Sequence, residues 1–493
     1  MINRLLRLIS CSSICLFAVL ATTPSALAGR THHTMSPFLA IGPQAHPAGH
    51  AGPGYGLFTC QLGLIPGVVC YDPYQIRHAY QVDSLINAGY NGAGRTIVII
   101  DAFQSPTLIN DLDTFNSFYG LPLSSTFFTQ IAPQGLTPFD PNNGDMVGWS
   151  GEITLDVEWA HAIAPNAKIV LVLAKSDEDQ DILNALNYAV SHNLGDVISM
   201  SFGENESCVD PGIFFGYRLA FTGATLLGTT LFASSGDEGA AQETCDGTSW
   251  VKAASHPASD PLVTGVGGTE LHAADYCLTA LGCDPTKNPL PGTYLGEIAW
   301  NEPPGLVSEG SLSTGGGFSV LFAAPPYQFG TTKNLKQRAV PDIAYSAAVL
   351  HGVLTYWTGD QGAGFYLFGG TSAGSPQWAG ITAIADQKAQ RRLGFLNGGL
   401  YQIARLNKGP LGLTDILSGN NSVVEFDVND DPVAINGFAA GKGWDATTGN
   451  GSPVGTTLVD YLNRYVGPFD GLFTIVTTPP PKVNGFPGYM GPH

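Results

Sequence analysis

Five short, mainly apolar runs, separated by longer amphipathic stretches, constrain this chain more than any other feature. They are Thr96–Ile100, Lys168–Leu173, Val197–Met200, Thr230–Ala233 and Leu262–Val266. A strand that is apolar along its whole length must be covered on both faces. Residues 105–119 and 180–192 lie between such runs and read as helices. Strand–helix alternation predicts an α/β fold with a doubly wound, mainly parallel sheet flanked by helices. Such sheets bind ligands beyond the carboxyl ends of their strands. The Gly- and Ser-rich loops that follow these runs are therefore where chemistry is expected.

The chain has 493 residues and a formal net charge of −19. That balance argues against a nucleic-acid partner, which needs a basic surface. Arg4 and Arg7, the apolar run Ile14–Ala21 and Ala26-Leu27-Ala28 have the layout of a signal peptide over 1–28, so the protein is expected to be secreted. Neither this run nor any other apolar stretch is long enough to span a bilayer, so no membrane partner is expected. Removal of the signal leaves Cys60, Cys70, Cys208, Cys245, Cys277 and Cys283. An even number in an exported chain points to disulfides; fifteen connectivities exist, and the simplest pairs 60 with 70, 277 with 283 and 208 with 245. Residues 29–58, rich in Gly, Pro and His, read as a flexible leader, and 466–493 as a Pro-rich tail.

Gly369-Gly370-Thr371-Ser372-Ala373-Gly374-Ser375-Pro376 precedes an apolar helical run, Trp378–Ala385. A serine at a helix entrance sits where backbone N–H groups favour a developing anion. It is also where an ordinary helix cap would sit. The segment matches G-x-S-x-G, but that esterase pattern needs a histidine after the serine, and only the terminal His493 follows Ser372. A subtilisin-like order would use Asp101 and then a histidine, yet none of the five candidate histidines opens an apolar helix beside a glycine. Another base must serve Ser372.

Glu152 and Asp156 stand at i and i+4 of a helical run, with Ser150 as a candidate cap, so both carboxyls share one face. Repulsion between them raises one pKa, which fits a carboxyl for general base and acid work at low pH. Asp237, in Ser234-Ser235-Gly236-Asp237, follows the fourth apolar run and could present a protonated carboxyl to an oxyanion.

Together these segments resemble the sedolisin (serine-carboxyl peptidase) family. The likeness runs from about Tyr71 to about Tyr465 and includes His256–Pro261, Val266–Thr269, Gly315–Ser319 and Val340–Ile343. It implies a subtilisin-like fold over 59–465, Ser372 as nucleophile, Glu152 as base, Asp156 as its partner and Asp237 in the oxyanion hole. It also implies a C-terminal calcium-binding region holding one Ca2+ through the side chains of Asp415 and Asp445 and the carbonyls of Ile416, Gly441 and Gly443. These are hard oxygen donors, as calcium prefers. The family's large N-terminal prodomain has no counterpart of similar length between the signal and the catalytic region. The expected function is a secreted, monomeric endopeptidase acting on polypeptides below about pH 5–6, where carboxyls titrate. The alternative is a non-catalytic exported binding protein on the same scaffold.

Overall fold

Each apolar run forms a strand, and alternate side chains of one strand enter two different cores. The computed structural model describes residues 34–49, 56–331, 336–359, 361–406, 412–467, 470–478 and 481–482. The signal peptide lies outside these residues. In chain order, β1 (Ser36–Pro37), β2 (Ala40–Gln44) and β3 (Val69–Tyr71) come first. The α/β run follows as β4 (Thr96–Ala102), α1 (Leu108–Tyr119), β5 (Phe128–Ile131), α2 (Gly144–Ile163), β6 (Lys168–Ala174), α3 (Asp179–Ser191) and β7 (Val197–Met200). It continues through β8 (Phe202–Asn205), α4 (Pro211–Leu226), β9 (Thr230–Ser234), β10 (Thr264–Ala273) and β11 (Tyr294–Ala299). Then come β12 (Ile343–Ser346), β13 (His351–Gly359), β14 (Gly362–Gly369) and α5 (Gly374–Ala389). The fifth run thus begins two residues later than expected and extends seven residues beyond Val266.

The large sheet has the order β11-β10-β9-β7-β4-β6-β5, with β12 beside β10. All its pairings are parallel except β10 with β11. Ile97 and Ile99 of β4 join a core that includes Trp159 of α2 and Trp378 of α5. Val98 and Ile100 point the other way, into a core with Leu186 of α3 and Phe221 of α4. Helices therefore cover both faces, the doubly wound arrangement that the strand pattern requires. Helix α2 runs through the interior and is buried on all sides from Trp149 to Ile163. Apolar residues such as Trp149, Ile153, Val157 and Trp159 need that cover, and the helix carries the carboxyls of Glu152, Asp156 and Glu158 into the interior with them.

Several local expectations fail. Ser150 does not cap α2; the helix begins six residues earlier, and the Asn143 side chain accepts from the Met146 N–H at 3.0 Å. Ser150 instead donates to the carbonyl of Val147 at 2.8 Å. Residues 34–49, read as part of a flexible leader, form β1, β2 and a third short strand over Pro47–Gly49. β2 adds to β14 in a four-stranded sheet of order β2-β14-β13-β3. Within the expected tail, Asp470–Thr477 is a helix that buries Gly471 and Thr474. The disulfides follow the simplest pairing, Cys60–Cys70, Cys208–Cys245 and Cys277–Cys283. No helix of the described residues is long and apolar enough to cross a membrane.

One buried ion pair ties the sheet to the C-terminal part. Arg338 donates to both carboxylate oxygens of Asp342 at 2.7 and 2.5 Å, and neither side chain is exposed. Asp342 also accepts from the Gly265 N–H and the Tyr401 hydroxyl. Asp342→Ala strands an uncompensated guanidinium in the core. It should cost about 3–5 kcal/mol of stability, read as a lowered midpoint in chemical denaturation. An unchanged midpoint would show that the pair is dispensable.

Candidate active site

Three chain segments meet at the carboxyl edge of the sheet. The first is the entrance of α5. β14 ends at Gly369, Gly370 turns with φ 94°, and Thr371–Ala373 form a short 3-10 turn before the helix. A side chain at Gly370 would be strained by that positive φ. Its Cβ would also lie 2.3 Å from the Phe38 carbonyl oxygen and 2.4 Å from Asp237 Oδ2. The second segment is α2, which carries Glu152 and Asp156 one turn apart. The third is the pair of loops following β7 and β9, which carry Ser201 and Asp237.

The Ser372 hydroxyl lies 2.9 Å from Glu152 Oε2, with the geometry of a donor to it, and 3.1 Å from the carbonyl oxygen of Ser201. The Ser201 hydroxyl donates to Asp156 Oδ1 at 2.9 Å. Ser372, Glu152 and Asp156 are completely buried. Asp101, at the end of β4, belongs to the same group; both of its oxygens are buried and find no hydrogen-bond partner among the described residues. Burial raises the pKa of Glu152 well above the ordinary carboxyl range, and the charges of Asp156 and Asp101 add to the effect. Burial likewise raises Asp156, less so because Ser201 and Glu152 donate to it. Asp101 is raised by burial and then by Asp156. The group therefore retains protons where isolated carboxyls would have lost them, and its members titrate together.

Asp237 lies on the other side of Ser372. Its Oδ1 accepts from the Thr371 N–H at 2.7 Å and the Thr371 hydroxyl at 2.8 Å. Its Oδ2 is buried without a partner and faces the same point as the Phe38 carbonyl. Burial, and secondly the charge of Glu238, push its pKa well up. A protonated Oδ2 can donate a hydrogen bond into that space.

The histidines weighed as bases are elsewhere. His161 stacks on Phe127 with ring centroids 3.7 Å apart, and burial lowers its pKa to about 3. His256 is packed against Phe214 and Tyr217 and is likewise held at about 3, first by burial and then by Arg218. His272 and His351 approach each other and Glu270. Ser201 and the third carboxyl, Asp101, have no motif of their own. Their one sequence signal is their position at or just beyond the carboxyl end of an apolar run.

The two acidic residues of the implied calcium set, Asp415 and Asp445, both accept backbone N–H groups of the loop 441–448. Gly443 N–H donates to Asp415 Oδ2 and Gly441 N–H to Asp445 Oδ2, each at 2.9 Å. Asp445 Oδ1 accepts from the N–H groups of Thr447 and Thr448. Two half-buried carboxylates thirty residues apart are thus folded onto one glycine-rich loop. This set of carboxylates and neighbouring carbonyls suits a hard cation. Glu270, His272 and His351 could also meet on an ion, but imidazole nitrogens suit softer metals than calcium.

Buried carboxyls set the pH dependence of stability. A carboxyl whose folded pKa exceeds its unfolded value binds more protons in the fold, so stability falls as pH rises between the two values. Unfolded carboxyls titrate at about pH 4, and burial raises Glu238 and Asp386 to about 7. Their contribution is therefore full at about pH 4 and lost by about pH 7. His161 and His256 act in the opposite sense, weakening the fold as pH falls below about 6.5, but the raised carboxyls outnumber them. The denaturation midpoint should be higher at about pH 5 than at about pH 8. Equal or inverted midpoints would contradict the raised carboxyl values.

Known proteins share this arrangement of elements. The subtilase family profile matches residues 141–396, just over half of the chain. Kumamolisin from Bacillus sp. (strain MN-32) is 31 % identical over 401 residues, covering 80 % of this chain and 63 % of that protein. Sedolisin from Pseudomonas sp. (strain 101) is 30 % identical over 421 residues, covering 83 % of this chain and 63 % of that protein. The chain thus spans less than two thirds of the length of either relative. The solved structure of Pseudomonas sedolisin, a serine-carboxyl proteinase complexed with two molecules of pseudo-iodotyrostatin, superposes with a TM-score of 0.67 at 28 % identity. It covers 81 % of this chain and 100 % of that one. The chain belongs to the subtilase family, and its likeness there is to the sedolisins, the serine-carboxyl peptidases.

Proposed function

We propose that this protein is a secreted, acid-acting endopeptidase that hydrolyses polypeptides through Ser372, Glu152 and Asp156. The observation that carries this reading is the 2.9 Å contact between the Ser372 hydroxyl and Glu152 in a site without a histidine. The serine oxygen attacks the peptide carbonyl while its proton passes to Glu152 Oε2. Glu152 relays a proton to Asp156, which Ser201 holds in place. The backbone N–H of Ser372 and protonated Asp237 stabilise the oxyanion. Glu152 then protonates the leaving amine, and water releases the acyl group. The three disulfides fit an oxidising, extracellular setting.

Asp415, Asp445 and the carbonyls of Ile416, Gly441 and Gly443 would hold one calcium ion. Bound there, the ion would neutralise the paired carboxylates and brace the C-terminal loop, with no part in bond cleavage.

The test is digestion of a denatured protein across about pH 3–7, the span over which carboxyls and histidines titrate, with and without a calcium chelator. Endoproteolytic fragments at acid pH, declining toward neutrality and diminished after chelation, are expected. Absence of fragments at every pH would favour the non-catalytic binding protein.

A further inference from the structure

Two imidazoles and one carboxylate converge where the end of β10 meets the start of β13. β10 contributes Glu270 and His272, which stand two residues apart and so on one face of the strand. Leu271 between them is completely buried and belongs to the core on the other face. β13 contributes His351, its first residue, which pairs in parallel with Val69 of β3. His272 Nε2 lies 3.2 Å and His351 Nε2 3.8 Å from the same oxygen, Glu270 Oε1. One ligand atom from each of the three residues lies within 4.8 Å of the other two. A tetrahedral zinc ion, with ligands about 2.0–2.1 Å away, sets them about 3.3–3.4 Å from one another. The two separations from Glu270 Oε1 meet that requirement within about 0.5 Å.

Orientation and surroundings fit the same ion. His351 Nδ1 lies 3.1 Å from the carbonyl oxygen of Leu271. A carbonyl only accepts, so Nδ1 carries the proton, and the neutral ring keeps its lone pair on Nε2, toward Glu270. An imidazole tied to a carbonyl through its other nitrogen is the usual support of a metal-binding histidine. Side-chain exposure is 17 % for His351 and 21 % for Glu270, but 43 % for His272. The fold thus holds two ligands while the third opens to solvent, which gives an ion its way in. Opposite His272, β11 presents Gly296, which has no side chain to cover that face. Burial raises the carboxyls of Asp275 and Glu302; the charge of His351 opposes this at Asp275, and that of Glu270 adds to it at Glu302. Two more acids therefore lie within electrostatic reach of the cluster, a setting that favours a cation.

We propose that Glu270, His272 and His351 bind one divalent transition ion of the zinc class, through Glu270 Oε1 and the two Nε2 atoms, with water in the fourth position. Two nitrogens and one oxygen are the donors such an ion prefers, and they separate this site from the all-oxygen set around Asp415 and Asp445. The ion acts as a brace. β10 belongs to the large sheet and β13 to the four-stranded sheet, so the bound ion joins two sheets that share no ladder at this point. The segment between Ser346 and His351 also reaches the catalytic serine. The Ala347 N–H donates to the Thr269 carbonyl at 2.8 Å, and the Ala347 carbonyl accepts from the Gly370 N–H at 2.7 Å, two residues before Ser372.

The experiment uses the full chain at about pH 7, where free imidazoles are mostly neutral, saturated with calcium so that the oxygen site takes up no second ion. Zn2+ is titrated by calorimetry, Co2+ is added for its visible spectrum, and chemical denaturation is followed with and without Zn2+. One Zn2+ per chain is expected, with Co2+ absorption bands of a low-coordinate nitrogen–oxygen site and a denaturation midpoint raised by Zn2+. His272→Ala and His351→Ala should each weaken Zn2+ binding at least about ten-fold, the loss that even an outer supporting partner causes. His192→Ala, at an exposed histidine elsewhere, should bind as the parent does. The half-exposed His272 can be replaced without opening the core, so that variant should match the parent midpoint in the absence of Zn2+. Failure of the calcium-saturated chain to take up Zn2+ would overturn the site. Equal affinity in the parent and His272→Ala would place the ion elsewhere and overturn it too. Zn2+ binding that leaves the midpoint unchanged would overturn the brace. None of these readouts needs proteolysis, so the outcome is independent of the peptidase reading.

Discussion

Ser372→Ala and Glu152→Gln are each expected to lower kcat/KM on peptide substrates by about 10⁴-fold or more, with little loss of stability. Alanine removes the attacking oxygen. Glutamine preserves the size of Glu152 and can still hydrogen-bond the serine, but it cannot take up a proton. The two residues act as one unit, so the double variant should be no slower than the worse single variant. Asp156→Asn should cost less, because it removes the proton acceptor behind Glu152 while leaving Glu152 beside the serine. Stability separates a chemical role from a structural one. Glu152 is completely buried, and its carboxyl is kept protonated at some cost in the fold. Glutamine removes that cost, so Glu152→Gln should be at least as stable as the parent at neutral pH while being inactive. Full activity in either variant, measured by peptide cleavage at acid pH, would end the Ser–Glu assignment. Loss of activity accompanied by unfolding, followed by circular dichroism, would leave Glu152 as a buried core group and no base.

The grouping of the candidate site was legible where it is written in local spacing. Ser372 stands out through the glycines before it and the apolar helix after it. Glu152 and Asp156 stand out because a separation of four places them on one helix face. Asp101 was legible as a carboxyl at a strand end, but its company was not. In the structure it faces two other acids rather than a histidine, because α2 passes through the interior beside β4. That path depends on the packing of Trp159 and Ile163, not on any short motif. Ser150 reads as a cap because the first turn of α2, Gly144 to Gly148, carries two glycines and lacks apolar periodicity. The least legible part was residues 34–44. Their sequence sets the apolar run Phe38–Ile41 between two prolines without polar–apolar alternation, and their strands exist only through pairing with β8 and β14, far away in the chain. Long-range pairing of that kind leaves no trace in a window of neighbouring residues.

Asp237→Ala should lower kcat by about 10²–10³-fold, the usual loss when one oxyanion donor is removed. Asp237→Asn should lose much less. Two bonds from Thr371 fix Oδ1 as the accepting oxygen, so Oδ2 is the one left to carry a proton toward the substrate carbonyl. Asparagine can reproduce both functions, accepting through its oxygen and donating through its amide. The pH profiles should separate the variants. Asp237 donates only when protonated, and its raised pKa extends that condition upward from the ordinary carboxyl range. As pH rises through its pKa, a donor becomes a negative charge facing the developing oxyanion, and the rate must fall. The amide does not titrate, so Asp237→Asn should show a shallower decline toward neutral pH, with the remaining decline set by Glu152 and Asp156. Measurement of kcat at intervals from about pH 3 to 7 tests both points. If Asp237→Ala kept the parent rate, Asp237 would not face the reacting carbonyl during catalysis. If the asparagine variant fell off as steeply as the parent, the decline would belong to the Glu152–Asp156 pair alone, and Asp237 would act only as a brace for Thr371.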